Sequence, residues 1–147
     1  MAARITYIII LFALALIYNL YIHQMDVKTT FLNSNLDKEI YMVQPKGFVL
    51  PGNEHKMCKL FKSLYGLKQA PKQWHQKFDS AILSNGFVNN NADKCLYVKI
   101  CNDFIVIICL YVDDMLILSN NMKCVLEKKM FMSFTFKMKN LGQVDTI

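Results

Sequence analysis

Residues 104–119 decide how this chain is read: FIVIICLYVDDMLILS, from Phe104 to Ser119. Two apolar runs flank Asp113-Asp114. The pattern predicts a β-hairpin, with strands over 104–111 and 115–119 and the two carboxylates between them. One reading makes this an ordinary hairpin whose polar turn carries the charges. The flanks favour another. Strands apolar nearly throughout belong in the middle of a sheet, covered on both faces. Adjacent carboxylates there repel each other and resist burial. A divalent cation would offset that repulsion, and hard oxygen ligands suit magnesium.

Working upstream, residues 21–27 (YIHQMDV) also read as a strand. Alternation puts Tyr21, His23 and Met25 on one side and Ile22, Gln24 and Asp26 on the other. Asp26 is thus a third carboxylate at the end of an apolar strand. If the two strands are neighbours, Asp26, Asp113 and Asp114 converge into a set able to support two-metal phosphoryl transfer. Spacing alone does not establish that convergence.

The remaining segments fill out an α+β domain. Residues 4–20 read as a buried helix. Short strands are expected at 40–43 and 57–61, with turns at Asn33-Ser34-Asn35 and Pro51-Gly52-Asn53. Pro71 suits the start of a helix whose apolar stripe holds Trp74, Phe78, Ala81 and Ile82, and Gly86 ends it. A strand over 95–101 and a surface helix over 121–132 follow, and 137–142 reads as a polar, basic tail. The expected architecture is an antiparallel sheet with helices packed on one face.

Composition narrows the class. Hydrophobic residues make up 54% and charged residues 19% of 147 residues, which excludes a disordered tail and fits one domain. Seventeen basic and eleven acidic residues leave a net charge of +6, a balance that suits a polyanion or an anionic surface. Cys58, Cys95, Cys101, Cys109 and Cys124 form no CxxC pair, and are read as buried free thiols in a reducing compartment. The charge-free run from Ile5 to Ile22 reaches the length of a transmembrane candidate. Thr6, Tyr7, Tyr18, Asn19 and Tyr21 dilute it, and no flanking basic cluster sets an orientation. A membrane protein anchored by residues 5–22 is the alternative function. A basic nucleic-acid-binding module without catalysis is a third.

Three blocks carry a family resemblance. Tyr111-Val112-Asp113-Asp114 resembles the YxDD box of reverse transcriptases. Gln24-Met25-Asp26-Val27-Lys28-Thr29-Thr30-Phe31-Leu32-Asn33 and Ser63-Leu64-Tyr65-Gly66-Leu67-Lys68-Gln69-Ala70-Pro71-Lys72-Gln73-Trp74 resemble two further blocks of the copia-type retrotransposon family. Ile40-Tyr41-Met42, Gln44-Pro45 and Gly47-Phe48 also sit as that family places them. The resemblance covers nearly the whole chain, in register.

It implies a right-hand polymerase palm performing RNA-directed DNA synthesis. Asp26, Asp113 and Asp114 would be the catalytic metal ligands, with the Val27 carbonyl beside them and two magnesium ions (or manganese) as cofactors. Phe31 matches the steric gate that excludes a ribose 2′-OH, although it also reads as an ordinary core residue. Gly66 matches a close approach to the nascent base pair, and also a plain turn before a helix. Tyr65 and Lys68 would face nucleotide or template, with a solvated surface lysine the alternative for Lys68. Tyr111 would support the primer end, or pack across the strand pair. Trp74 reads as helix core rather than a base-stacking platform.

Implied partners are an RNA or DNA template with its primer, deoxynucleoside triphosphates, and the rest of a polyprotein. The implied location is a cytoplasmic virus-like particle, with the nucleus as an alternative. The apolar start also resembles the helix by which the family approaches its first aspartate, which disfavours the membrane reading. Asn33-Ser34-Asn35 departs from the family's Asn-Gly-Asp-like turn. The expected domain is a partial reverse transcriptase over 1–147, truncated at both ends and lacking most of the fingers, the thumb and RNase H. Weak or no polymerase activity is expected from it alone.

Overall fold

A computed structural model describes residues 3–27, 36, 38–62, 67, 70–112, 114–136 and 138–143. The chain opens with α1 (Ile5–Tyr18), which ends where Asn19 enters the left-handed region at φ 54° and gives its N–H to Ala15 O. That conformation stops a helix, and a short polar side chain tolerates it. β1 (Tyr21–Val27) begins two residues later. The charge-free run is therefore split between a helix and a strand. At ~1.5 Å per residue α1 is only about 21 Å long, short of a ~30 Å hydrocarbon core. Among the described residues, no helix is long and apolar enough to cross a membrane.

β2 (Tyr41–Val43) and β3 (Met57–Lys59) form a separate antiparallel pair. Gln44 organises the loop between them, donating to Asn53 O and Lys56 O and accepting from Leu50 N–H. α2 (Ala70–Ser84) follows, then β4 (Val88–Asn89), β5 (Leu96–Cys101), β6 (Phe104–Tyr111), β7 (Asp114–Ser119), α3 (Met122–Thr135) and β8 (Met138–Gln143). Asn121 caps α3, its side chain accepting from Lys123 and Cys124 N–H. The main sheet runs β4-β5-β6-β7-β1-β8, and every pairing in it is antiparallel.

β6, β7 and β1 are flanked by strands on both sides, and the nearly continuous apolar runs of β6 and β7 suit that central place. On one face Val106, Ile108, Leu110, Met115, Ile117 and Met25 are at most 1% exposed. α2 and α3 cover this face. α2 contributes Trp74, Phe78 and Ile82, a stripe at i, i+4 and i+8. Trp74 meets Phe136 edge-on at 5.2 Å and Phe78 at 5.7 Å, and Phe78 meets Tyr97 at 5.7 Å. The buried Tyr97 hydroxyl donates to Asp79 Oδ1 at 3.0 Å.

Four expectations need correction. The helices do not share one face: α1 lies on the other, where Leu14 and Tyr18 line a groove with Ile105 and Ile107, the outward positions of β6. Nor is α1 buried, since only Leu11 and Ala15 are, while Ile9, Leu16 and Ile17 are exposed. The polar tail is a strand, β8, paired with β1. An edge strand needs backbone pairing more than an apolar pattern, so its composition hid it. The five cysteines are free, but only Cys95 and Cys109 are buried. Burial pushes the Cys95 thiol up to about 11 and the Cys109 thiol up to about 12, so neither is a reactive thiolate.

Candidate active site

β1 and β7 are neighbours, and their register pairs Asp26 with Asp114. Directly opposed residues of an antiparallel pair share a face, with Cβ atoms about 4.5–5.5 Å apart. The two carboxylates are thus held side by side by backbone pairing. Both are half-buried. They lie on the face opposite α2 and α3, at the end of the strands. In β6 the register partner of Asp114 is Tyr111, 47% exposed. In β8 the partner of Asp26 is Lys139. Positions 111, 114, 26 and 139 therefore form one row across four strands.

Gln24 is on the same side of β1 as Asp26. Its Nε2 donates to Asp114 Oδ1 at 3.4 Å, a long contact. Val27 ends β1 with its side chain buried on the opposite face.

The β6–β7 connection is a two-residue turn, because Tyr111 pairs with Asp114. Val112 has φ 55°. Tight hairpins demand a left-handed first turn residue, which glycine or asparagine normally supplies. A β-branched residue there is an outlier. The indole N–H of Trp74 donates to Val112 O at 3.0 Å, tying the turn to α2.

Asp113, Phe31, Tyr65, Gly66 and Lys68 lie outside the described residues. Asp26, Asp114, Val27 and Tyr111 are described, and the two aspartates come together as the strand argument required. Among the described residues no cluster of three His, Cys, Asp or Glu stands ready for a metal. Asp26 and Asp114 supply two oxygen donor groups of the hard kind that divalent magnesium or manganese takes. Two features escaped the sequence reading, and a third did not. Gln24 was legible from the alternation that exposed Asp26. Lys139 was lost with β8. The Trp74 N–H was hidden by the packing role that the same ring performs.

The model of one protein family, reverse transcriptase (RNA-dependent DNA polymerase), matches residues 2–147. The chain belongs to the reverse transcriptase family. It is 45% identical over 146 residues to the retrovirus-related Pol polyprotein from transposon TNT 1-94 of Nicotiana tabacum, covering 98% of this chain and 11% of that protein. It is 43% identical over 100 residues to the Pol polyprotein from transposon RE1 of Arabidopsis thaliana, covering 68% of this chain and 7% of the relative. The transposon Ty1-DR4 Gag-Pol polyprotein of Saccharomyces cerevisiae is 34% identical over 137 residues, 90% of this chain and 8% of the relative. These relatives make it a reverse transcriptase fragment of the copia-type retrotransposon kind. This reverse transcriptase segment spans about a tenth or less of those polyproteins. No solved structure matches it.

Proposed function

We propose that the chain forms the palm of an RNA-directed DNA polymerase, in which Asp26, Asp113 and Asp114 hold two magnesium ions. The observation that carries this reading is the direct register pairing of Asp26 with Asp114 on a half-exposed face. Two like charges so placed repel each other, and a divalent cation between them would offset that repulsion. When bound, the ions would lower the pKa of the primer 3′-hydroxyl and stabilise charge on the leaving pyrophosphate.

The chain's own residues provide position. Asp26 and Asp114 present carboxylate oxygens from neighbouring strands, and Asp113, next to Asp114 in sequence, adds the third. The Val27 carbonyl follows Asp26 along β1 and completes the donor set. Tyr111, exposed beside Asp114, supports the primer end. Phe31 acts as the steric gate against a ribose 2′-OH. Gly66 lets the backbone approach the nascent pair, while Tyr65 and Lys68 face nucleotide or template. The substrates are deoxynucleoside triphosphates on a primed RNA or DNA template. The net charge of +6 favours their approach. The rest of the polyprotein supplies the other substrate clamps, and the setting is the parent element's cytoplasmic particle. Because positioning provides much of the rate in phosphoryl transfer, this chain alone extends primers weakly or not at all.

Manganese binding, followed by electron paramagnetic resonance, tests the metal site. Asp26→Asn and Asp114→Asn should each weaken it more than about tenfold. Unchanged affinity in both variants removes the reading.

A further inference from the structure

We propose that Trp74 is a positioning residue for the aspartate turn, acting through its indole N–H on the Val112 carbonyl. The inference rests on the function proposed above for its consequence, but its structural half stands alone. Val112 is held at φ 55°, which valine disfavours because its branched Cβ crowds the backbone. Such a conformation persists only where the surroundings over-determine it. The hairpin supplies one constraint, since Tyr111 and Asp114 are already paired. Trp74 supplies the second, a 3.0 Å hydrogen bond to the carbonyl of Val112 itself.

The donor is rigidly aimed. Trp74 is 1% exposed, and its ring packs against both Phe78 and Phe136, which also stack on each other. An indole N–H in such a core must find an acceptor, and here it takes one from the turn between the two strands. Asp113 follows Val112 directly, and Asp114 follows Asp113. Fixing the Val112 peptide therefore steadies the turn that leads into Asp114. Packing alone would be satisfied by any large apolar ring, whereas positioning requires the N–H.

Trp74 is the chain's single tryptophan, so a biosynthetic analogue changes that site only. Benzothienylalanine keeps the bicyclic outline and replaces the N–H by sulfur. Trp74→Phe removes the donor with a smaller ring and repeats the test should the analogue fold poorly. Phe78→Leu, which disturbs the same core without touching the N–H, is the control. Two readouts apply: Val112 backbone carbon shifts in the metal-free chain, which report positive φ, and manganese affinity.

The analogue should move Val112 away from its positive-φ shifts and weaken manganese binding about fivefold, the factor carried by one neutral hydrogen bond. Phe78→Leu should lower thermal stability and leave both readouts in place. Wild-type shifts and affinity in the analogue would overturn the proposal, as would equal changes in Phe78→Leu. If the unsubstituted chain and Asp114→Asn both bind no manganese, the metal reading fails, and the metal-free shifts still decide the role of Trp74.

Discussion

Lys129 Nζ lies 2.8 Å from Nδ1 of His23, and both side chains are buried between α3 and β1. An ammonium can only donate, so Nδ1 accepts and the ring proton sits on Nε2, which has no hydrogen-bond partner among the described residues. Burial first, and the Lys129 charge second, hold the His23 pKa below 6.5. Burial likewise lowers that of Lys129 from 10.5. An unfolded His23 takes up a proton near its ordinary value while the folded one does not, so the unfolded state binds more protons in that window. Stability should therefore fall as pH drops through 6.5 and level off below the folded pKa. Thermal melts in metal-free buffer across that range should show the decline, and His23→Gln should flatten it. A wild-type melting temperature that rises on acidification would contradict the arrangement.

Asp26 and Asp114 face each other with like charges. Opposed like charges cost a sheet about 0.2–1 kcal/mol. In metal-free buffer Asp114→Asn should raise stability by about that amount, roughly 1–4 °C in melting temperature. Added manganese should stabilise the wild-type chain and fail to stabilise the variant. This opposition between stability and binding distinguishes a functional carboxylate pair from an ordinary polar hairpin. Equal melting behaviour with and without manganese in both proteins would support the ordinary hairpin.

The sequence revealed this pair more fully than it revealed its surroundings. Period-two alternation put Gln24 and Asp26 on one side of β1, and the apolar flanks of Asp113-Asp114 announced a central hairpin. Both signals are local, and both match the structure's strands closely. What failed was non-local. β8 carries no apolar alternation, so only its backbone pairing with β1 marks it as strand. The apolar sequence of α1 predicts burial, but hydrophobic composition carries no statement of what covers it. The hydrogen bond from Trp74 to Val112 joins residues 38 positions apart, and no periodicity reports such a contact.

Val112 carries strain that can be measured. A left-handed β-branched residue costs about 1–2 kcal/mol, and asparagine accepts the same conformation at lower cost. Val112 is 36% exposed, so its replacement forfeits only part of a valine's burial. Val112→Asn should hold stability or raise it by up to about 1 kcal/mol in urea unfolding, with an unchanged m value. A loss of more than about 1 kcal/mol would mean that the valine side chain contributes packing that its exposure conceals.

α1 makes the last prediction. Ile5 is 69% exposed, Ile9 63%, Leu16 71%, Ile17 72% and Tyr18 68%, along one 14-residue helix. Single exposed apolar residues are normal on a surface, but several along one helix promote association. Purified chain should therefore sediment as concentration-dependent oligomers. Ile9→Lys with Ile17→Lys should shift it towards monomer, because each added ammonium disfavours burial of the patch. Both positions are solvent-exposed, so the double variant should change unfolding stability by no more than about 1 kcal/mol. A monomeric wild-type chain at high concentration would show that the exposed helix does not drive self-association. A large stability loss in the double variant would show that α1 packs more of its surface than Leu11 and Ala15 account for.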